Sequence, residues 1–225
     1  FQDPYASLNP RFRVEDIIGE APLVHGLIGA ADQSAYVAEL MQRVGLDGAL
    51  ARRFPHQFSG GQRARIGIAR ALAVNPGFLV CDEAVAALDV SIQAQVLNLF
   101  IQLREELDLT YLFISHDLGV VRHMSDRVVV MYLGRVVESA PAEELFRSPN
   151  HPYTQALLAE LPSLEVRKKD FVAVRGEIPS PLNPPTGCHF HPRCPHAQDR
   201  CREERPALIT ISPDRISACH LNAAR

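Results

Sequence analysis

The stretch Phe58-Ser59-Gly60-Gly61-Gln62-Arg63-Ala64-Arg65-Ile66-Gly67-Ile68-Ala69-Arg70-Ala71-Leu72 decides how the rest of the chain is read. Ser59 stands where a helix begins, and its hydroxyl can accept a backbone N–H of the first turn. Gly60 and Gly61 carry no side chains, so backbone amides there can come close to a ligand. The N-terminus of the helix that follows bears partial positive charge and favours an anion such as phosphate. Ile66, Ile68, Ala69, Leu72 and Ala73 supply an apolar side, Arg63, Arg65 and Arg70 a polar one. Taken alone, the stretch also describes an ordinary capped amphipathic helix after a glycine turn.

Downstream, Phe78-Leu79-Val80-Cys81 is a short apolar run ending in Asp82-Glu83. This is the pattern of a buried parallel strand with two carboxylates at its carboxyl end, where ligands sit in open α/β sheets. Neighbouring strand residues point to opposite faces, so the two acids can share a task only if the strand stops there. Ala84 onward does leave the strand pattern. Ile92, Val96, Leu99, Phe100, Leu103 and Leu107 recur at spacings of three and four, which predicts a helix over residues 91–107 capped by Asp89 or Ser91. Thr110-Tyr111-Leu112-Phe113-Ile114-Ser115 predicts a second buried strand that delivers His116 at its carboxyl end.

In this order and at this spacing the motifs resemble those of ATP-binding-cassette ATPases. Phe58-Ser59-Gly60-Gly61-Gln62 resembles the signature motif, and Phe78-Leu79-Val80-Cys81-Asp82-Glu83 the Walker B strand. Ala87-Leu88-Asp89 resembles the D-loop, and Ile114-Ser115-His116-Asp117 the switch-histidine strand. Phe1-Gln2-Asp3-Pro4 is similar to the Q-loop of peptide-import ATPases. The resemblance implies an α/β fold: a partial P-loop ATPase domain with a mostly parallel sheet and a helical subdomain. That subdomain falls on residues 14–50, where Val37, Leu40, Met41 and Val44 predict a helix ending near Gly45. The resemblance also implies roles. Glu83 would position or deprotonate the attacking water, and His116 would contact the γ-phosphate and orient that water. Gln2 would touch Mg²⁺ and the water, and Asp82 would hold Mg²⁺. Ser59, Gly60, Gly61, Gln62 and Asp89 would close on ATP held by a second cassette.

One departure is large. The family's phosphate-binding loop, G-x-x-x-x-G-K-[ST], occurs nowhere in these 225 residues; Gly19 and Gly26 precede no Gly-Lys-Ser/Thr. Its lysine and amide cradle hold the β- and γ-phosphates. The expectation is that the chain by itself binds ATP poorly and is inactive. Because every later motif is intact, truncation is expected rather than evolved loss.

Residues 126–138 predict a hairpin turning at Leu133-Gly134, residues 141–146 a short helix, and the nucleotide-binding domain is expected to cover residues 1–148. Asn150-His151-Pro152-Tyr153-Thr154-Gln155-Ala156-Leu157-Leu158 opens the remainder, 149–225. This run resembles the start of the C-terminal extension of oligopeptide/dipeptide (and nickel) importer ATPases. Arg167-Lys168-Lys169-Asp170 reads as a solvated turn, and residues 176–185 as proline-rich and irregular. Cys188, Cys194, Cys201 and Cys219 follow with gaps of five, six and seventeen residues. Without a short C-x₂₋₄-C step they do not match the usual structural zinc pattern, although His189, His191, His196 and His220 keep mixed zinc ligation open. Four thiolates also suit a [4Fe–4S] cluster, and the resemblance favours iron. Cys81 reads as core.

Composition narrows the field. A net charge of −3 and a pI near 6.3 give no basic surface for nucleic acid. No apolar run approaches the ~20 residues of a membrane helix, and no secretory signal is visible, so the expectation is a cytosolic protein, peripheral at the inner face of the membrane. The partners implied are a second cassette, permease subunits and, indirectly, a solute-binding protein. Two rival functions stay open. A cassette ATPase of DNA maintenance should show heptads or basic stretches, and neither is visible. A non-catalytic metal-binding interaction module would suit the missing phosphate loop.

Overall fold

The computed structural model describes residues 7–161 and 176–222. Gln2 and the Arg167-Lys168-Lys169-Asp170 turn therefore lie outside the described residues. The chain divides into two compact units, Phe1–His116 and Asp117–Arg225.

In the first unit, α1 (Val14–Val24), α2 (Gln33–Arg43) and α3 (Gly60–Leu72) pack on one another through their apolar faces. Val14, Ile18, Val37, Met41, Ile66 and Ala69 are all fully buried. Burying each larger aliphatic side chain stabilises the helical layer by about 1.5–3 kcal/mol. As the spacing predicts, α2 stops short of Gly45, which has φ +73°. Two side chains tie the layer to backbone carbonyls: Tyr36 Oη donates to Ala73 O at 2.8 Å, and Arg65 Nη1 to Val44 O at 2.6 Å.

The same unit holds one βαβ crossover. β1 (Phe78–Asp82) runs parallel to β2 (Thr110–Ile114), joined by α4 (Val90–Leu107). A parallel pair needs such a crossover. Phe100 of α4 meets Tyr111 and Phe113 edge-on at 5.6 and 5.9 Å. The sequence reading of two buried strands needs correction here. Strand alternation turns Phe78 and Val80 of β1, and Leu112 and Ile114 of β2, to the other side, where all four are exposed. Among the described residues, only the face under α4 is covered.

The second unit begins with α5 (Leu118–Met124), whose first turn is capped by Asp117 Oδ1 accepting from Gly119 N at 2.8 Å. β3 (Arg127–Tyr132) and β4 (Arg135–Pro141) form the expected hairpin, followed by α6 (Ala142–Arg147) and α7 (Pro152–Ala159). Leu133 and Gly134 have φ +44° and +74°, and a two-residue loop of this kind needs left-handed backbone at both positions. After α8 (Asp199–Glu203), β5 (Ile209–Ser212) and β6 (Arg215–Ser217) complete an antiparallel sheet ordered β3-β4-β6-β5. Among the described residues, parallel pairing is thus confined to β1 and β2. The expected boundary at residue 148 falls inside this unit, because β6 pairs with β4, Glu138 opposite Ser217.

The core of the second unit is Val128, Val130, Tyr132, Ala140, Leu145 and Phe190. Beside it lies Glu138, fully buried, whose carboxylate accepts from Asn150 N at 2.9 Å and His151 N at 2.8 Å. The guanidinium of Arg215 stands 3.4 Å away. His151 Nδ1 accepts from Tyr153 N at 3.0 Å and caps α7. Burial lowers the His151 pKa to about 4, against an opposing pull from Glu138.

Candidate functional site

Two constellations in the first unit carry predicted site residues. The first is the turn into α3. Ser59 has extended backbone and is the N-cap; Gln62 N donates to Ser59 Oγ at 3.4 Å, while Ser59 N donates to Gln62 Oε1 at 3.0 Å. This reciprocal capping box satisfies two of the orphan donors at a helix start. Ser59 itself is exposed, at the positive end of a 13-residue helix. Gly61 has a second reason to be glycine: a Cβ there would lie 2.5 Å from Ile92 Cγ2 of α4. The empty side of this helix start is thus already occupied by a neighbouring side chain.

The second constellation sits at the carboxyl ends of the parallel strands. β1 ends at Asp82, opposite Ile114, and Glu83 then takes φ +47°. That left-handed step is unusual for a glutamate. It breaks the strand alternation that would otherwise separate the two acids. Glu83 N still donates to Ile114 O at 3.0 Å, so the backbone remains latched to β2. From the end of β2, His116 brings Nδ1 to 3.0 Å from Glu83 Oε1. A carboxylate only accepts, so Nδ1 carries the proton, and the pair faces solvent, with the His116 side chain 73% exposed. Asp89, also exposed, is the N-cap of α4 through its backbone, its carbonyl accepting from Gln93 N at 2.8 Å; its carboxylate makes no cap bond. The structure therefore joins Glu83 to His116 and Ser59 to Gln62, as two separate groups.

In the second unit, Cys188, Cys194, Cys201 and Cys219 line one small cleft, with His191, His196 and His220 at its margin. Two of the histidines are already engaged: His191 Nδ1 donates to Cys188 O and His220 Nε2 to Glu204 O, each at 2.9 Å. Burial raises the thiol pKa values of Cys188, Cys194 and Cys219, the last to about 11, and each is raised further by neighbouring cysteines. Gly187 makes the close turn possible: it has φ +63°, and a Cβ there would meet the Cys201 carbonyl oxygen at 2.5 Å. Among the described residues no group of three or more His, Cys, Asp or Glu is arranged to hold a metal ion. The Glu138 knot was not foreseen. A single acid inside the apolar run Val136-Val137-Glu138-Ser139-Ala140 was the available signal.

Comparison with known proteins fits this geometry. Residues 1–86 match the ABC transporter family model. Residues 137–201 match that of the oligopeptide/dipeptide transporter C-terminal region. Among solved structures the chain is similar to cbiO1 from Clostridium perfringens, part of the ABC transporter complex cbiONQ. The TM-score is 0.57 and identity 29%, covering 66% of this chain and 58% of that one. Curated relatives are closer in sequence. The oligopeptide transport ATP-binding protein AppF of Bacillus subtilis is 54% identical over 98% of this chain and 68% of its own length. The dipeptide transport ATP-binding protein DppF of Haemophilus influenzae is 48% identical over 97% of this chain and 67% of its own. The chain spans about two thirds of the length of these relatives. Strands, crossover and motif order together define an ABC-transporter ATPase. Within that class, the chain belongs to the oligopeptide/dipeptide transport ATP-binding family.

Proposed function

We propose that this chain provides the Walker B, signature and C-terminal parts of the ATP-hydrolysing subunit of a di- or oligopeptide importer. The observation that carries the reading is the Glu83–His116 pair at the ends of two parallel strands, in a chain of this family. Glu83 is the base or positioner of the attacking water. With its Nδ1 proton held by Glu83, a neutral His116 leaves Nε2 free to accept a hydrogen bond from that water. Asp82 lies at the adjacent strand end, where a carboxylate suits Mg²⁺, an ion that takes oxygen ligands, keeps several waters and offsets phosphate charge. Ser59, Gly60, Gly61 and Gln62 present backbone amides and a helix N-terminus to an anion, and act on ATP held by a second cassette, as a homodimer or heterodimer. Asp89 adds to the same seam. Gln2 reports to the permease subunits from the cytoplasmic face of the membrane.

Hydrolysis in this scheme needs a lysine-bearing phosphate loop, which these 225 residues lack, so the chain alone is inactive. The test joins such a loop ahead of Phe1 and follows phosphate release with and without Glu83→Gln. Loss of turnover with ATP binding retained is expected. Full turnover in the variant would remove Glu83 from its role.

The cysteine cleft supports a further part of the reading, a [4Fe–4S] cluster on Cys188, Cys194, Cys201 and Cys219. A cluster binds each thiolate to a different iron, so it needs four sulfurs around one space rather than several donors converging on one point. Neighbouring thiols help to raise the pKa values of Cys188, Cys194 and Cys219, and cationic iron would reverse that. Bound there, the cluster would cross-link the tail or carry an electron.

A further inference from the structure

We infer that Ile92 is a positioning residue for the turn that carries Ser59: it sets where the first turn of α3 stands against the first turn of α4. The inference rests on the proposed action of Ser59–Gln62 and Asp89 on ATP held by a second cassette. It names the side chain that fixes the spacing between those two groups.

The turn is rigid within itself. Phe58 is buried, its N–H donates to Pro55 O at 3.1 Å, and its carbonyl accepts from Arg63 Nε at 3.1 Å. Ser59 N and Oγ are both engaged by Gln62, and Ser59 O accepts from Arg63 N at 2.9 Å. Every main-chain polar group of Phe58 and Ser59 thus has a partner. Such bonds fix the shape of the turn and leave its placement as a body to the packing around it.

Ile92 supplies that packing. It is the third residue of α4, and Asp89 is the N-cap of the same helix. A Cβ on residue 61 would lie 2.5 Å from Ile92 Cγ2, well inside the distance at which two carbons attract. A β-branched side chain in a helix has one strongly preferred χ1, so this methyl does not swing aside. Gly61 itself lies in ordinary helical backbone, and nothing in its own conformation calls for glycine. Its missing side chain points at α4, so the glycine admits the Ile92 methyl. The sequence alone offered another reason, the approach of a ligand to the backbone amide. The first turns of α3 and α4 therefore meet methyl to backbone. A change at either residue moves Ser59 relative to Asp89, although the Ile92 side chain is given no contact with phosphate.

The test uses the full-length chain with its phosphate loop and reads ATP-driven dimerisation by a concentration series, with the urea midpoint measured on the same proteins. Gly61→Ala should weaken dimerisation by about tenfold, the effect of one overpacked methyl. Ile92→Ala empties the contact without overpacking it and should weaken dimerisation by about threefold or more. Combined, the two changes offset each other, and the double variant should return to within about threefold of the wild type. Gly61→Ala with Ile92→Val keeps the Cγ2 methyl and should show no such return. Unchanged dimerisation in both single variants, with only the urea midpoint lowered, would make the contact mere packing and overturn the inference. A Gly61→Ala/Ile92→Ala protein as weak as Gly61→Ala would also overturn it and assign the glycine to the approach of ATP. Ser59→Arg separates these failures from that of the underlying reading. If it blocks dimerisation while the double variant shows no return, the inference alone falls. If it leaves dimerisation unaltered, action in trans falls and takes the inference with it.

Discussion

Glu83 and His116 meet at 3.0 Å because Glu83 has left the strand geometry that Asp82 still obeys. The φ of +47° aims its carboxylate at the end of β2, and the bond from Glu83 N to Ile114 O keeps that aim while the backbone turns. The proton on Nδ1 then fixes what the far side of the ring can do. A neutral His116 can only accept at Nε2, which suits a water.

Two residues acting through one hydrogen bond should not behave additively. In a chain carrying the phosphate loop, Glu83→Gln and His116→Ala should each lower turnover by roughly 10²–10⁴-fold. The double variant should be little worse than the more damaged single one. Single-turnover phosphate release on all four proteins measures this. Simple multiplication of the two effects would mean that the pair is not a functional unit.

Ser59 has a structural task as well as the proposed one. Ser59→Ala removes the oxygen that accepts Gln62 N and should cost about 1 kcal/mol, read as a lower urea midpoint with an unchanged slope. Ser59→Asp keeps a cap and should restore that stability. It also places a negative charge where phosphate is proposed to dock, so stability and dimer closure should part company. Ser59→Arg should block closure outright, and an unaltered dimerisation titration would count against action in trans.

His151 makes the second unit sensitive to acid. Its pKa falls from 6.5 in the unfolded chain to about 4 in the fold, so the unfolded chain binds the extra proton. The contribution is fully present above pH 6.5 and is lost as pH falls toward 4, by about 3 kcal/mol over that window. Denaturant midpoints between pH 7 and 4 should show the slope, and His151→Asn should flatten it.

Breaking the Glu138 knot should be among the costliest single changes. Glu138→Ala leaves Arg215 without its buried partner and two backbone N–H groups without an acceptor, for a loss of about 3–5 kcal/mol. Glu138→Gln, which can still accept, should lose less. Thermal unfolding of the two variants ranks them, and an equal loss would assign the effect to charge alone.

Metal content decides the cysteine cleft. Anaerobically purified protein should contain about four iron and four sulfide per chain, with a brown colour. Cys201→Ser should abolish both. One zinc per chain, or no metal, would end the cluster reading.

Much of the first unit was legible because its signals are local. Ser59 and Gln62 are three residues apart, α4 follows from its apolar spacing, and Glu83 and His116 each end a recognisable strand. Leu133-Gly134 likewise announced its turn. What escaped depends on partners far away in sequence. Phe78, Val80, Leu112 and Ile114 look buried from hydrophobicity alone, and among the described residues they are exposed. Glu138 is joined to Arg215 across 77 positions, and no period reveals such a pair. β4 is shared between hairpin and tail, again through partners distant in sequence.

That shared strand governs how the protein can be cut and rebuilt. A chain shortened to residue 148 would lose β6, leaving one edge of β4 bare and Glu138 stripped of Asn150, His151 and Arg215 together. An uncovered edge is a template for pairing with other chains, so such a piece would be expected to aggregate rather than stand as a trimmed cassette. Grafting the tail onto another ATPase would face the same obstacle in reverse, since it brings only half of its own sheet.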